Sequence, residues 1–194
     1  MTKPCAVILA AGLSVRMGSN KLLLPLGHST VLKQFLHRFP FDLFGKVIVV
    51  YSKSSVAKEA EQFPVELCKN QSPETGQSHS IQLGLKACRT KNAVMFLVAD
   101  QPLLQPPTIE KLIRISQKNP GHIVLPEVNG TPRNPVVFPP EFHDEINILQ
   151  GDCGGREVLK NNPGKIVRQS FHNADEFLDI DTAEMYRQVV NLWK

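Results

Sequence analysis

Short runs rich in valine and isoleucine alternate along this chain with segments whose apolar residues recur every three or four positions. The runs are "CAVILAAG", "GKVIVVY", "AVMFLVAD", "HIVLPEV" and "PVVF", and the intervening segments include "STVLKQFLHRF" and "PPTIEKLIRISQKN". A strand with no polar face must be covered on both sides, so such runs belong inside a sheet flanked by helices. The alternation therefore predicts an α/β sandwich with a mostly parallel sheet covered by helices on both faces. "EFHDEINILQ" and "TAEMYRQVVNLWK" read as further helices. With 194 residues, 42% of them hydrophobic, the chain is expected to form one domain over residues 1–194 around a core of its own.

Charge and cysteine usage exclude several classes. The 22 Lys and Arg against 18 Asp and Glu give a net charge of +4, dispersed and without the basic blocks and interleaved aromatics of a nucleic-acid surface. A small anionic ligand suits the same excess. No apolar run approaches the ~20 residues of a membrane span, and "MTKP" leads straight into a strand pattern and not a signal peptide, so a cytoplasmic location is expected. Cys5, Cys68, Cys88 and Cys153 lie far apart with no CxxC pair, which predicts separate thiols and neither a zinc site nor a disulfide framework. The six histidines show no HxxxH or HExxH spacing, and no G-x-S-x-G occurs.

In doubly wound sheets, ligands lie beyond the carboxyl ends of strands where the strand order reverses. Three candidate strand ends result: Leu9 to Gly12, Val98 to Asp100, and Leu178 to Asp181. In the first, "LAAGLSVRMGSNK" is neither G-x-G-x-x-G nor a P-loop. Its small residues Ala10, Ala11 and Gly12 allow backbone groups close to a flat base, while Arg16 and Lys21 supply cations for phosphates. A plain turn carrying a surface Arg and Lys explains the same spacing. Asp100, at the end of a buried run, needs a partner, water or a metal, and it stands too far ahead of "PPTIEKL" to cap that helix.

In "DIDTAE", strand alternation sends Asp179 and Asp181 to one side, where Asp181 shares a divalent cation with Asp100, caps the last helix, or does both, with Thr182 as the other candidate cap. "PETGQSHSIQLGLKA" brings Gly76, Ser78 and Ser80 to a helix start, suited either to ribose and phosphate oxygens or to simple capping. "GTPRNPVVF" and "GDCGGREVL" read as polar turns; the second, with Gly154, Gly155 and Arg156, forms either a nest for another anionic group or a connecting loop.

Taken in order, "LAAGLSVRMGSNKLLLPLG", "ETGQSHSIQLGL", "VADQPLL", "NPVVF", "GDCGGREVL" and "DIDTAE" span nearly the whole chain. This set resembles the MobA-like nucleotidyltransferases, and within them the MocA-like molybdenum cofactor cytidylyltransferases. The resemblance implies a Rossmann-like, doubly wound, mostly parallel nucleotide-binding fold and Mg²⁺-dependent transfer of CMP from CTP to the phosphate of molybdopterin, with pyrophosphate released and Mn²⁺ as an alternative cation. It implies that Leu9, Ala10, Ala11 and Gly12 contact base and ribose, with Gly76 and Ser80 also on the nucleotide. Arg16 would meet the β/γ-phosphates, Lys21 the α-phosphate, and Asp100 and Asp181 the metal, so that Lys21, Arg16 and Asp100 form the catalytic set. Asn134, Pro135, Gly154, Gly155 and Arg156 fall on the acceptor side. The implied partners are the nucleotide, the pterin phosphate and a client molybdenum hydroxylase, with no nucleic acid and no membrane.

Guanylyl-transferring relatives tend to carry "LAGG" where this chain has "LAAG", which favours CTP. The chain departs from the family in reading Arg133-Asn134-Pro135 where Gly-His-Pro or Gly-Asn-Pro is frequent, and "DIDTAE" where "DIDTPED" is common. Two other functions fit the sequence: nucleotidyl transfer to a sugar or polyol phosphate, and a non-catalytic carrier of the cofactor. Loss of Lys21, Asp100 or Asp181 would mark the carrier, and all three are present.

Overall fold

The computed structural model describes residues 2–14 and 17–193. In chain order its strands are β1 (Cys5–Ala10), β2 (Pro25–Leu26), β3 (Ser29–Thr30), β4 (Lys46–Tyr51), β5 (Glu66–Lys69), β6 (Val94–Val98), β7 (Ile123–Val128), β8 (Thr131–Pro132), β9 (Val136–Phe138) and β10 (Ile166–Ser170). The helices are α1 (Val31–Arg38), α2 (Ser54–Ala60), α3 (Gln77–Cys88), α4 (Pro106–Lys118), α5 (His143–Asn147), α6 (Arg156–Asn161) and α7 (Ala183–Leu192).

The main sheet has the order β10-β7-β9-β6-β1-β4-β5, with β8 paired to β7, while β2 and β3 form a separate ribbon. Pairing is parallel through β6, β1, β4 and β5 and again between β10 and β7; β9 runs antiparallel to β6 and β7. From β1 the chain crosses to β4 and β5 on one side, then returns through α3 to β6 on the other. The order thus reverses at the β1–β6 junction, and the loops leaving those two strands bound a crevice.

The unbroken apolar character of β1 follows from its two faces. Ala6, Ile8 and Ala10 join a cluster with Leu32 and Phe35 of α1, Leu112 of α4 and Val189 of α7. Cys5 and Val7 join a second cluster with Ile81 and Leu85 of α3, Ile146 of α5 and Val158 of α6. Full burial of a side chain such as Ile8 contributes about 1.5–3 kcal/mol. Helix α3 approaches the sheet closely because it carries Gly84, where a Cβ would overlap Val7 Cγ1 and lie 3.1 Å from Val50 Cγ2. At the start of α1, the Thr30 hydroxyl accepts the Lys33 N–H.

Several local expectations are corrected. Leu178 to Asp181 is not a strand but an irregular link between a 3-10 turn at Ala174–Phe177 and α7. Asp100 lies two residues beyond the end of β6, in the turn that follows it. "EFHDEINILQ" yields only the five-residue α5 behind a 3-10 turn, and Arg156 opens α6. Cys5 and Cys88 form a disulfide between the first residue of β1 and the last of α3, and Cys68 and Cys153 are free thiols. No helix among the described residues is long and apolar enough to cross a membrane.

Candidate active site

The crevice at the β1–β6 junction opens into a cavity of about 650 Å³, within the range of small-molecule sites. Its floor is the end of β1 and β6. The Leu9 carbonyl accepts the Ala99 N–H at 3.1 Å, carrying the parallel pairing one residue past β6 and fixing where Asp100 emerges. Ile180, fully buried, donates its N–H to the Asp100 carbonyl at 3.1 Å. Gln101, 1% exposed, donates its side-chain amide to the Phe177 carbonyl. These bonds tie the Asp179–Asp181 link to the β6 turn. Ile180 points inward while Asp179 and Asp181 both line the cavity, so the expected sidedness holds without a strand.

Lys21 reaches the same place from the first loop. It opens a 3-10 turn over Lys21–Leu23, in which the Asn20 side chain accepts the Leu22 N–H and buried Leu22 anchors the turn. The Lys21 ammonium is paired with Asp100 and lies 2.8 Å from Asp181 Oδ1. Lys21 and Asp100 are each 14% exposed. Burial alone would lower the Lys21 pKa, but Asp100 and then Asp181 outweigh it and raise the value above normal, so the ammonium is charged. Asp179 is pushed up to about 6, first by burial and then by the neighbouring Asp100 and Asp181 charges.

The opposite wall is the start of α3 with the loop at 151–155. Gly76, at φ 102° and ψ 175°, precedes the first turn in a conformation open to glycine. The Gly151 carbonyl accepts both the Ser78 N–H and the Ser78 hydroxyl, and Asp152 Oδ1 accepts the Gln77 N–H at 3.2 Å. The Ser78 hydroxyl, suited in the sequence either to an anion or to a local structural role, is thus engaged with the chain's own loop, as are the Gln77 and Ser78 amides. Ser80 does line the cavity, where its hydroxyl accepts the side-chain amide of buried Asn70 at 2.9 Å.

Leu9, Ala10, Gly12, Lys21, Gly76, Ser80, Asp100 and Asp181 share this one cavity, which Asn134, Gly154, Gly155 and Arg156 also line. Ala11 and Pro135 are not on its wall. Ala11 packs against α3, its carbonyl accepting the Ser52 hydroxyl, and Pro135 is buried behind Asn134 across a cis peptide bond. Arg16 lies outside the described residues. Asp181 does not cap α7; the Thr182 hydroxyl does, accepting the Met185 N–H. Gln77, Gln101, Asp152 and Asp179 are wall residues to which the sequence reading gave no role. For Asp179 the two-residue spacing from Asp181 was the available signal; for Gln77 and Asp152, 75 positions apart, there was none.

Among the described wall residues the carboxylates Asp100, Asp152, Asp179 and Asp181 outnumber the cations Lys21, Arg133 and Arg156. A polyanion entering such a cavity needs a counter-cation. Asp100 and Asp181 already converge on one positive charge, a pair of hard oxygen donors suited to Mg²⁺ or Mn²⁺ with the remaining positions filled by phosphate and water. No cluster of three or more acidic, histidine or cysteine side chains among the described residues could hold a metal unaided.

Comparison with known proteins assigns the family. The model of the MobA-like NTP transferase domain matches residues 6–168, from β1 into β10. This chain belongs to the MobA-like NTP transferase family. It is therefore a nucleotidyltransferase acting on small molecules, and the match ends before Asp179 and Asp181. The purine catabolism protein PucB of Bacillus subtilis is 28% identical over 94% of both chains. The nicotine blue oxidoreductase of Paenarthrobacter nicotinovorans is 27% identical over 95% of this chain and 96% of its own. The crystal structure of the molybdopterin-guanine dinucleotide biosynthesis protein A of Archaeoglobus fulgidus aligns with a TM-score of 0.75 at 17% identity over 97% of each chain. That likeness shows the shared fold.

Proposed function

We propose that this MobA-like chain transfers the CMP group of CTP to the terminal phosphate of molybdopterin, with pyrophosphate as the second product. The observation that carries the reading is the convergence of Lys21, Asp100 and Asp181 at the strand-order reversal, inside a cavity that Arg133, Asn134 and Arg156 also line. An acceptor phosphate oxygen attacks the α-phosphorus in line, a P–O bond forms, and the bond to the β-phosphate oxygen breaks as pyrophosphate leaves.

The chain supplies position and charge in place of a covalent nucleophile. The close backbone of Leu9, Ala10 and Gly12 admits the base, Gly76 and Ser80 bound the ribose side, and Lys21 offers its ammonium to the α-phosphate. Asp100 and Asp181 hold Mg²⁺ or Mn²⁺, which when bound neutralises phosphate charge. Arg133, Asn134, Gly154, Gly155 and Arg156 receive the acceptor, and Pro135 sets the turn behind them. The choice of CTP rests on "LAAG" in the first loop. The choice of a pterin acceptor rests on the MocA-like motif set and on the archaeal relative named for molybdopterin-guanine dinucleotide biosynthesis. PucB's name, purine catabolism, fits supply of a finished cofactor to a molybdenum hydroxylase.

The test is label transfer. Incubation with α-³²P-labelled CTP, Mg²⁺ and molybdenum-loaded molybdopterin is expected to place the label in a pterin dinucleotide, with GTP, ATP and UTP poorer donors. A GTP preference would remove the cytidylyl assignment. Labelling of a sugar or polyol phosphate in place of the pterin would replace the acceptor.

A further inference from the structure

The position between Asp100 and Asp181 is taken by a cation, the Lys21 ammonium. The contact is enclosed, with Lys21 and Asp100 each only 14% exposed. The short turn that carries Lys21 is held by the Asn20 cap and by buried Leu22, so the backbone keeps the ammonium within reach of the carboxylates. A divalent ion drawing on the same two carboxylates would sit at contact distance from a like charge. A triphosphate changes that balance by offering Lys21 alternative anionic oxygens, leaving the carboxylates to a metal.

From this geometry we infer that Lys21 is a tethered counter-ion that occupies the divalent-cation position until a nucleoside triphosphate arrives, so that metal and nucleotide enter the site together. The inference rests on the proposed assignment of Asp100 and Asp181 as the cation's ligands. It gives Lys21 two successive partners, carboxylates in the resting state and phosphate in the loaded one. By linkage, the factor by which nucleotide tightens metal binding equals the factor by which metal tightens nucleotide binding. Part of that factor is stored in the Lys21 ion pairs.

The probe is Mn²⁺, followed by loss of its free paramagnetic resonance signal, with and without cytidine α,β-methylene triphosphate. The wild-type chain should bind Mn²⁺ weakly alone and at least about tenfold more tightly with the analogue, and Lys21→Met should bind Mn²⁺ alone at least about tenfold more tightly than wild type. Methionine keeps the apolar stem, and Lys21→Arg, which restores the charge, should bind Mn²⁺ alone as weakly as wild type. Lys21→Met no tighter than wild type, with the analogue still recruiting Mn²⁺ in a manner abolished by Asp100→Asn, would overturn the counter-ion role and leave the cation site standing. Analogue-dependent Mn²⁺ binding that survives Asp100→Asn would overturn both. Should Lys21→Met fail to fold, tight Mn²⁺ binding by the wild-type chain without nucleotide would refute the inference by itself.

Discussion

Gly76 is where the start of α3 meets the 151–155 loop within one wall of the cavity, and replacing it with alanine has a cost that can be worked from geometry. A Cβ at this position would lie 2.5 Å from the Gly151 carbonyl carbon and 2.8 Å from the Asp152 nitrogen, and closer still to the Gly151 oxygen. All three are backbone atoms that no rotamer change can move, so the 151–152 segment must retreat by about 0.9 Å from the carbon to reach ordinary contact at 3.4 Å. The φ of 102° with ψ of 175° adds strain in a region open almost only to glycine. Strain and overlap each cost about 1–3 kcal/mol, so together they cost about 2–6 kcal/mol. In a chain of this size that lowers the Tm by at least about 4 °C.

If the loop yields instead, Asp152, Gly154 and Gly155 move relative to Lys21, and a displacement near 1 Å costs about 100-fold in turnover. Gly76→Ala should therefore lose stability, turnover, or both, as read by thermal denaturation and by pyrophosphate release. Gly12→Ala is the control. No described residue lies within 4 Å of its Cβ and its φ is ordinary, so its Tm should hold while nucleotide KM rises. A Gly76→Ala chain with Tm within about 1 °C of wild type and unchanged kcat/KM would refute the claim that this contact holds the 151–155 loop against the start of α3.

Gly84→Ala should lower the urea midpoint by the equivalent of about 1–3 kcal/mol, because its Cβ overlaps Val7 beneath α3. An unchanged midpoint would mean the helix is free to lift from the sheet. His143 tests pH dependence: burial lowers its pKa below 6.5 despite Asp144 and Glu141, and its Nε2 is buried with no hydrogen-bond partner among the described residues. The unfolded chain therefore takes up this proton first as pH falls through 6.5, and the stability linked to neutral His143 is lost below that value. His143→Gln should show a smaller loss of stability than wild type between about pH 7.5 and pH 5.5 in urea titrations.

The parts of the fold legible in sequence were those with two apolar faces. β1, β4, β6 and β7 are covered on both sides, and their unbroken runs say so. β5 and β10 close the edges of the sheet with half-exposed residues, "ELCK" and "IVRQS", and carry too little apolar pattern to stand out. "LDID" has a strand's alternation yet forms no ladder, because its only described backbone tie to the sheet region is the bond from Ile180 to Asp100. The strand-end rule located Leu9 to Gly12 and Asp100, since topology alone brings those ends together. The sequence left the role of the Ser78 hydroxyl open because its partner, the Gly151 carbonyl, is 73 positions away. The Cys5–Cys88 disulfide, at a separation of 83, was hidden likewise.

Pyrophosphate release by the wild-type chain and by Asp100→Ala, with Mg²⁺, molybdenum-loaded molybdopterin and each of the four nucleoside triphosphates in turn, tests the central claim most directly. The account predicts release with CTP by the wild-type chain and a loss of at least about 100-fold in Asp100→Ala. Equal release by the two chains, or CTP–Mg²⁺ binding with no release in the presence of the acceptor, would contradict it.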